Sequence, residues 1–197
     1  SVIQSTSNDG FLVGGRNHIP NVERGSYIIK IDNDGNIVWE LKIEDDGSSG
    51  FYVEEIIILN DGNYAAVSNN SIHIIDDNGN IINSIVTSDG NGAEYNNKGI
   101  IQTSSGELVI AGYLSWGIMD HILIEKYDLN LNLLWHKTNL KYCCSEWSKI
   151  YLESIVELDN GNLVVSGNID PTHNDGTPNW ISDVFIFSTD TDGNRIF

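Results

Sequence analysis

Cys143 and Cys144 stand side by side and are the only cysteines in the chain. Adjacent cysteines cannot tie distant segments together, because disulfide geometry fixes how near its two ends must lie. Three readings stay open: two free thiols in a loop, a vicinal disulfide closing a small strained ring, or bonds to another chain. Exposed thiols oxidise outside the cell, so an extracellular home favours the ring. The histidines, His18, His73, His121, His136 and His173, lie on unrelated stretches and form no H-E-x-x-H or H-x-H pair. No G-x-S-x-G elbow or Gly-rich phosphate loop occurs either. No catalytic residue is singled out, and a non-catalytic role is the expectation.

Two other sets have the chemistry to hold a ligand. Trp116, Trp147, Trp180, Tyr95 and Tyr142 fall in the gaps between apolar runs, among Glu44, Asp45, Asp46, Asp89, Glu94 and Glu146. Rings beside carboxylates and amides suit a sugar, and rings also anchor protein partners. The second set is Asp32, Asp34 and Asn36, in the run Asp32-Asn33-Asp34-Gly35-Asn36. It matches the first half of a calcium-binding loop but lacks the distal Glu that completes one. A hairpin turn asks for the same residues, so calcium is carried as a candidate ligand only.

These residues hang on a repeat. The chain reads four times as a β-prone run, a turn with Gly, a second run, a variable gap, a third run, another turn and a fourth run. The copies are QSTSNDGFLVGG…YIIKIDNDGNIVW, IILNDGNYAAVS…IHIIDDNGNIIN, IQTSSGELVIAG…ILIEKYDLNLNLLW and VELDNGNLVVSG…VFIFSTDTDGNRIF. Four strands in roughly fifty residues is the pattern of a β-propeller blade. The expectation is an all-β, single-domain propeller over 1–197, with blades at about 1–43, 51–86, 98–139 and 150–197. The last copy stops at Phe197 where copies one and three run on, which points to part of a longer propeller.

Within a blade the strands are named a to d. Gly10, Gly62, Gly106 and Gly161 mark the ab turns, while Gly35, Gly79, Leu131 and Gly193 mark the cd turns. Each cd position is followed by Asn and then, three residues on, by Trp39, Asn83, Trp135 or Phe197. The rings are expected to pack one blade on the next, covering a face that a lone sheet cannot bury. In an antiparallel blade the ab and cd turns share one end, and the bc and da connections share the other. The ab and cd turns are short and uniform, whereas the bc and da gaps are long and unequal. Functional loops ride on constrained scaffolds, so the bc/da face is the expected binding face.

Charge narrows the partners. The formal charge is −18, with only ten Lys and Arg and no basic stripe, which argues against nucleic acid. No apolar run is long enough to insert in a membrane as a helix. The pattern D-x-x-G-N-x-x-W, as Asp32…Gly35-Asn36…Trp39, resembles the blades of the quinoprotein-like and related secreted bacterial and archaeal propellers. The resemblance spans essentially the whole chain on a loose motif, and implies an extracellular, cell-surface or periplasmic location. In quinoprotein dehydrogenases a vicinal disulfide lies beside pyrroloquinoline quinone. Those enzymes need more blades and a full ligand set, and Asn83 and Leu131 break the motif here, so that cofactor is not expected. The leading expectation is a binding or assembly module for a protein or glycan, requiring no cofactor. The alternatives are a fragment of a propeller enzyme, of quinone or polysaccharide type, or a self-assembling subunit of an extracellular fibre or sheath.

Overall fold

The computed structural model describes residues 1–5, 9–17, 25–44, 52–87, 94–116, 119–138, 148–171 and 183–197. The chain divides into two compact units, Ser1–Thr87 and Ser88–Phe197, each holding two blades. In the first unit, β1 (Val2–Gln4), β2 (Gly10–Asn17), β3 (Gly25–Asp32) and β4 (Ile37–Glu44) form one antiparallel meander. A second is built from β5 (Val53–Ile58), β6 (Tyr64–Ser68), β7 (Ser71–Ile75) and β8 (Ile81–Val86). The second unit holds β9 (Glu94–Gln102), β10 (Leu108–Trp116), β11 (Met119–Tyr127) and β12 (Leu133–Lys137). Its other sheet comprises β13 (Ser148–Glu157), β14 (Leu163–Pro171) and β15 (Asp183–Thr189). Beside β15, Thr189 bridges Arg195, the Ile196 N–H donates to the Ser188 carbonyl at 2.8 Å and the Ser188 N–H to the Phe197 carbonyl at 3.2 Å. Among the described residues no helix is long and apolar enough to cross a membrane.

Each cd turn is built from its own side chains. In the first, Asp32 Oδ1 accepts the backbone N–H of Asp34 at 2.9 Å and of Asn36 at 2.7 Å. Its Oδ2 accepts Asn36 Nδ2 at 3.0 Å. The same bonds recur in Asp76–Asn80, Asp128–Asn132 and Asp190–Asn194. The Asn amide and the turn N–H groups hold all four carboxyls below the usual range. Asp and Asn at these spacings are thus the turn's own hydrogen-bond partners. Leu131 takes the glycine place in the third turn at φ 60 and is nearly buried. Left-handed backbone costs a leucine about 1–2 kcal/mol, and burying its side chain is worth roughly the same or more.

Next to the first three of these turns the c–d ladder slips by one residue, setting Trp39 opposite Lys30, Asn83 opposite Ile74 and Trp135 opposite Lys126. Both rings then reach the following blade, as expected from the repeat. Trp39 lies on the Gly79 turn, where an added Cβ would come 2.7 Å from its ring, and its Nε1 donates to the Asp77 carbonyl at 3.0 Å. Trp135 lies likewise on Gly193. Gly35 has the same left-handed backbone, yet an added Cβ would meet nothing within 4 Å. Gly35→Ala should therefore cost only the backbone strain, about 1–2 kcal/mol. Gly79→Ala should cost at least about 1 kcal/mol more, because the Trp39 ring must also move. Chemical denaturation of the two variants measures that difference; equal losses would mean the ring does not seat there.

Beneath the rings lie the cores. Leu12, Ile28 and Ile43 of the first blade pack with Val53, Ile56, Tyr64, Ala66 and Ile75 of the second. In the other unit Val109, Ala111, Ile122 and Ile124 meet Ile155, Val165, Phe185 and Phe187, among others. At the turn end of the first seam, Asp77 joins both blades. Its carboxylate accepts Lys30 Nζ at 2.8 Å and Tyr64 Oη at 2.7 Å, and Asp9 lies 3.3 Å from the same amine. Burial pulls the Lys30 amine down, but the bonds to Asp77 and Asp9 outweigh it and the net shift is up.

Gly10 is not a turn glycine: it lies in the ladder opposite Asp32, with φ 158, unlike Gly62, Gly106 and Gly161 at φ 80 to 99. The residue preceding each cd-turn Asp pairs with Phe11, Tyr64, Leu108 and Leu163, so those four are equivalent. The first ab turn holds one more residue than the others, closing from Ser5 N–H to the Gly10 carbonyl.

Candidate functional site

The bc/da end differs chemically from the turn end. In the first unit it begins with a two-residue hairpin, Asn69–Asn70, between strands that are buried throughout. Register places Ser68 opposite Ser71 and Ala66 opposite His73, so Ser68, Ser71 and His73 share one face. Their side chains form a chain: Ser68 Oγ to Ser71 Oγ at 2.5 Å, and Ser71 Oγ to His73 Nε2 at 2.8 Å. Burial pushes the His73 imidazole down to about 4, so it stays neutral near pH 7.

Among the described residues, four buried side-chain atoms here have no hydrogen-bond partner: Ser26 Oγ, Asn69 Oδ1, Asn70 Oδ1 and His73 Nδ1. Ser26 stands near the bc end of β3, opposite Arg16. Arg16 in turn lies over the Tyr52 ring, 4.6 Å from its centre, and donates to the Tyr52 hydroxyl. Tyr52 is 42% exposed and immediately precedes β5. This end of the unit therefore carries an open ring, a guanidinium and neutral polar atoms with hydrogen-bonding capacity left. Buried polar atoms are rarely left so.

The corresponding end of the second unit is latched. Asp120, almost wholly buried, accepts Lys149 Nζ and the Ile150 N–H, each at 3.1 Å. That ties β11 to β13 beside a parallel bridge, Met119 to Ser148.

The residues singled out from sequence distribute unevenly. Tyr95, expected in a connection, stands in β9, 7% exposed and packed with Leu114 and Leu123. Trp116, expected in a bc loop, ends β10, because the third blade's bc hairpin extends to Trp116 and Met119. Tyr142, Cys143, Cys144, Trp147 and Trp180 lie outside the described residues. Asp32 and Asn36 are bonded to each other in the turn described above, and Asp34 donates its N–H to Asp32. Among the described residues no group of three or more His, Cys, Asp or Glu side chains is placed to hold a metal ion. Ser26, Ser68 and Ser71 were not singled out from sequence, and His73 stood only as one of five histidines on unrelated stretches. The signal was there in YAAVS-NN-SIHII, where polar residues alternate onto one face of an otherwise apolar hairpin.

No protein-family model and no curated protein matches this sequence. Solved structures do match in fold. The whole chain aligns with 64% of a protein of unknown function from Bacteroides caccae, at TM-score 0.56 and 13% identity. It aligns over 97% of its length with 66% of a periplasmic gluconolactonase from Pseudomonas aeruginosa, at TM-score 0.55 and 12% identity. It also aligns with 64% of the Pan2 WD40 domain from Neurospora crassa, at TM-score 0.53 and 11% identity. The chain spans just under two thirds of each. Together with the four meanders, these likenesses define the class: the fold is a β-propeller of four-stranded antiparallel blades, four of them in this chain. At such identities they carry the fold alone.

Proposed function

We propose that the chain is a non-catalytic binding module that meets its partner on the bc/da face. The observation that supports this is the contrast between the two ends of the blades. At the turn end every cd-turn Asp carboxylate is occupied by its own turn's N–H groups. At the bc/da end of the first unit, buried hydroxyl, amide and imidazole atoms keep hydrogen-bonding capacity among the described residues, and Arg16 with the exposed Tyr52 ring stands at the same end. Neutral polar atoms and an open ring suit a glycan better than a charged ligand, so of protein and glycan the second is the stronger reading. Kinship with the quinoprotein-like propellers is part of this reading as shared blade construction, without pyrroloquinoline quinone. No cofactor is needed, and calcium at Asp32, Asp34 and Asn36 would have to displace bonds the turn already makes. An extracellular, cell-surface or periplasmic location accords with a glycan partner.

An array of soluble glycans tests the reading. Retention is expected, and Tyr52→Ala together with Trp116→Ala, Trp147→Ala or Trp180→Ala should weaken it about tenfold or more. Asp128→Ala, in a turn, should leave retention unchanged. An array with no retained glycan, or retention indifferent to all four ring variants, contradicts the assignment.

A further inference from the structure

The seam inside each unit is built on the same plan, yet at one layer the two differ in chemistry. Counted back from the cd-turn Asp, Ser26 of β3 matches Ile122 of β11, while Ser71 and His73 of β7 match Phe185 and Phe187 of β15. Ser68, opposite Ser71, matches Gly167, opposite Phe185. In the second unit this layer is hydrocarbon. Ile122, Phe185 and Phe187 belong to one core, and an added Cβ on Gly167 would come 2.9 Å from the Phe185 ring. In the first unit serine hydroxyls and an imidazole stand at those places, all buried. Serine is far smaller than the phenylalanine or isoleucine it replaces, so these positions fill less of the layer.

Ser26 lies on the β3 face that carries Ile28, and His73 on the β7 face that carries Ile75, and both isoleucines belong to this seam's core. Ser26 Oγ and His73 Nδ1 thus enter one seam from its two sides, each without a partner among the described residues. Leaving such atoms unpaired is costly, and the second unit shows that the repeat can build this layer without them. The available roles narrow the ligand. The chain from Ser68 through Ser71 to His73 Nε2 can run in either direction, which leaves Nδ1 a donor or an acceptor. Ser26 Oγ plays either part, and a hydroxyl group matches both. Ser26, Ser68, Ser71 and His73 are all neutral at pH 7, so a charged ligand would be buried without compensation.

We infer that this layer is a binding site for a neutral hydroxyl group, held between Ser26 Oγ and His73 Nδ1. A water molecule or a hydroxyl of a sugar can supply that group. The site stands apart from the glycan reading: a chain that retained no glycan on the array would still hold water here.

A crystal structure of the chain fine enough to show ordered water is the test. An oxygen within about 3.2 Å of both Ser26 Oγ and His73 Nδ1 is expected. A crystal soaked in glucose separates the two sources. A sugar hydroxyl at that position means the layer is reached from outside, and an unchanged water means that water is the resident. Ser26→Ile combined with His73→Phe writes the second unit's residues into the first, and should abolish the bound oxygen. Should that pair fail to fold by circular dichroism, Ser26→Ala and His73→Phe made singly should each weaken it. No oxygen between the two atoms, or a direct bond from Ser26 Oγ to His73 Nδ1, overturns the inference. So does an oxygen that persists unaltered in the variants.

Discussion

Replacing Phe185 with alanine is expected to remove about 3–5 kcal/mol from the stability of the second unit, the usual cost of deleting a fully buried ring. Phe185 is 0% exposed, stacks on Phe187 with ring centres 6.2 Å apart, and closes the core between the third and fourth blades. Its neighbour Val184 points to the other face of the same strand and is 78% exposed. Val184→Ala should change the chain's own stability by no more than about 0.5 kcal/mol. The first unit has a core of its own, so the loss in Phe185→Ala should be local. Hydrogen exchange resolved by segment should show β14 and β15 opening while β6 and β7 stay protected. Uniform loss of protection would mean that the two cores unfold as one body.

The second large effect depends on pH. Unfolded, the His73 imidazole takes a proton near its ordinary 6.5; folded, burial delays this to about 4. Between those values the unfolded chain binds the extra proton, so stability falls as pH drops from about 6.5 to about 4. Above 6.5 the contribution is fully present. A gap of this size corresponds to about 3 kcal/mol lost by pH 4. The turn carboxylates act lower: their folded values lie below the ordinary 3.8, so their contribution is present above that and lost below it. The two windows are therefore separable. His73→Gln, which keeps a hydrogen-bonding side chain but cannot titrate, should flatten stability between pH 6.5 and 4. An unchanged slope in that variant would show that His73 is not buried as described.

What could be read from the letters alone followed from which forces are local. A turn of Asp, x, Asn or Asp, Gly and Asn bonds to itself within five residues, so all four cd turns were legible. So was the role of Trp39 and Trp135, because their spacing from the turn is constant and a lone sheet must cover its face. Gly10 misled because a glycine in a ladder and a glycine in a turn look alike in sequence; only pairing with Asp32 separates them. Trp116 misled for the opposite reason. Strand length in a hairpin is limited by its partner strand, and nothing local in Tyr113–Asp120 announces that β10 and β11 pair to their ends. The Asp77 junction with Lys30 and Tyr64 joins residues far apart in sequence, and no spacing rule anticipates it. At the candidate site the legible part was which end of the blades to examine. The atoms with capacity left, from Ser26 to His73, depend on what burial withholds from them, and burial is a property of the packed seam.

The contrast between a turn end occupied by its own bonds and a bc/da end with capacity to bind is the claim on which the functional reading rests. Hydrogen exchange of the chain with and without a glycan retained on the array tests it most directly. Added protection is expected around Arg16–Ser26, Tyr52 and Ser68–His73, with the four Asp–Asn turns unchanged. Protection confined to residues 32–36, 76–80, 128–132 and 190–194 would place the partner on the other end and contradict the account.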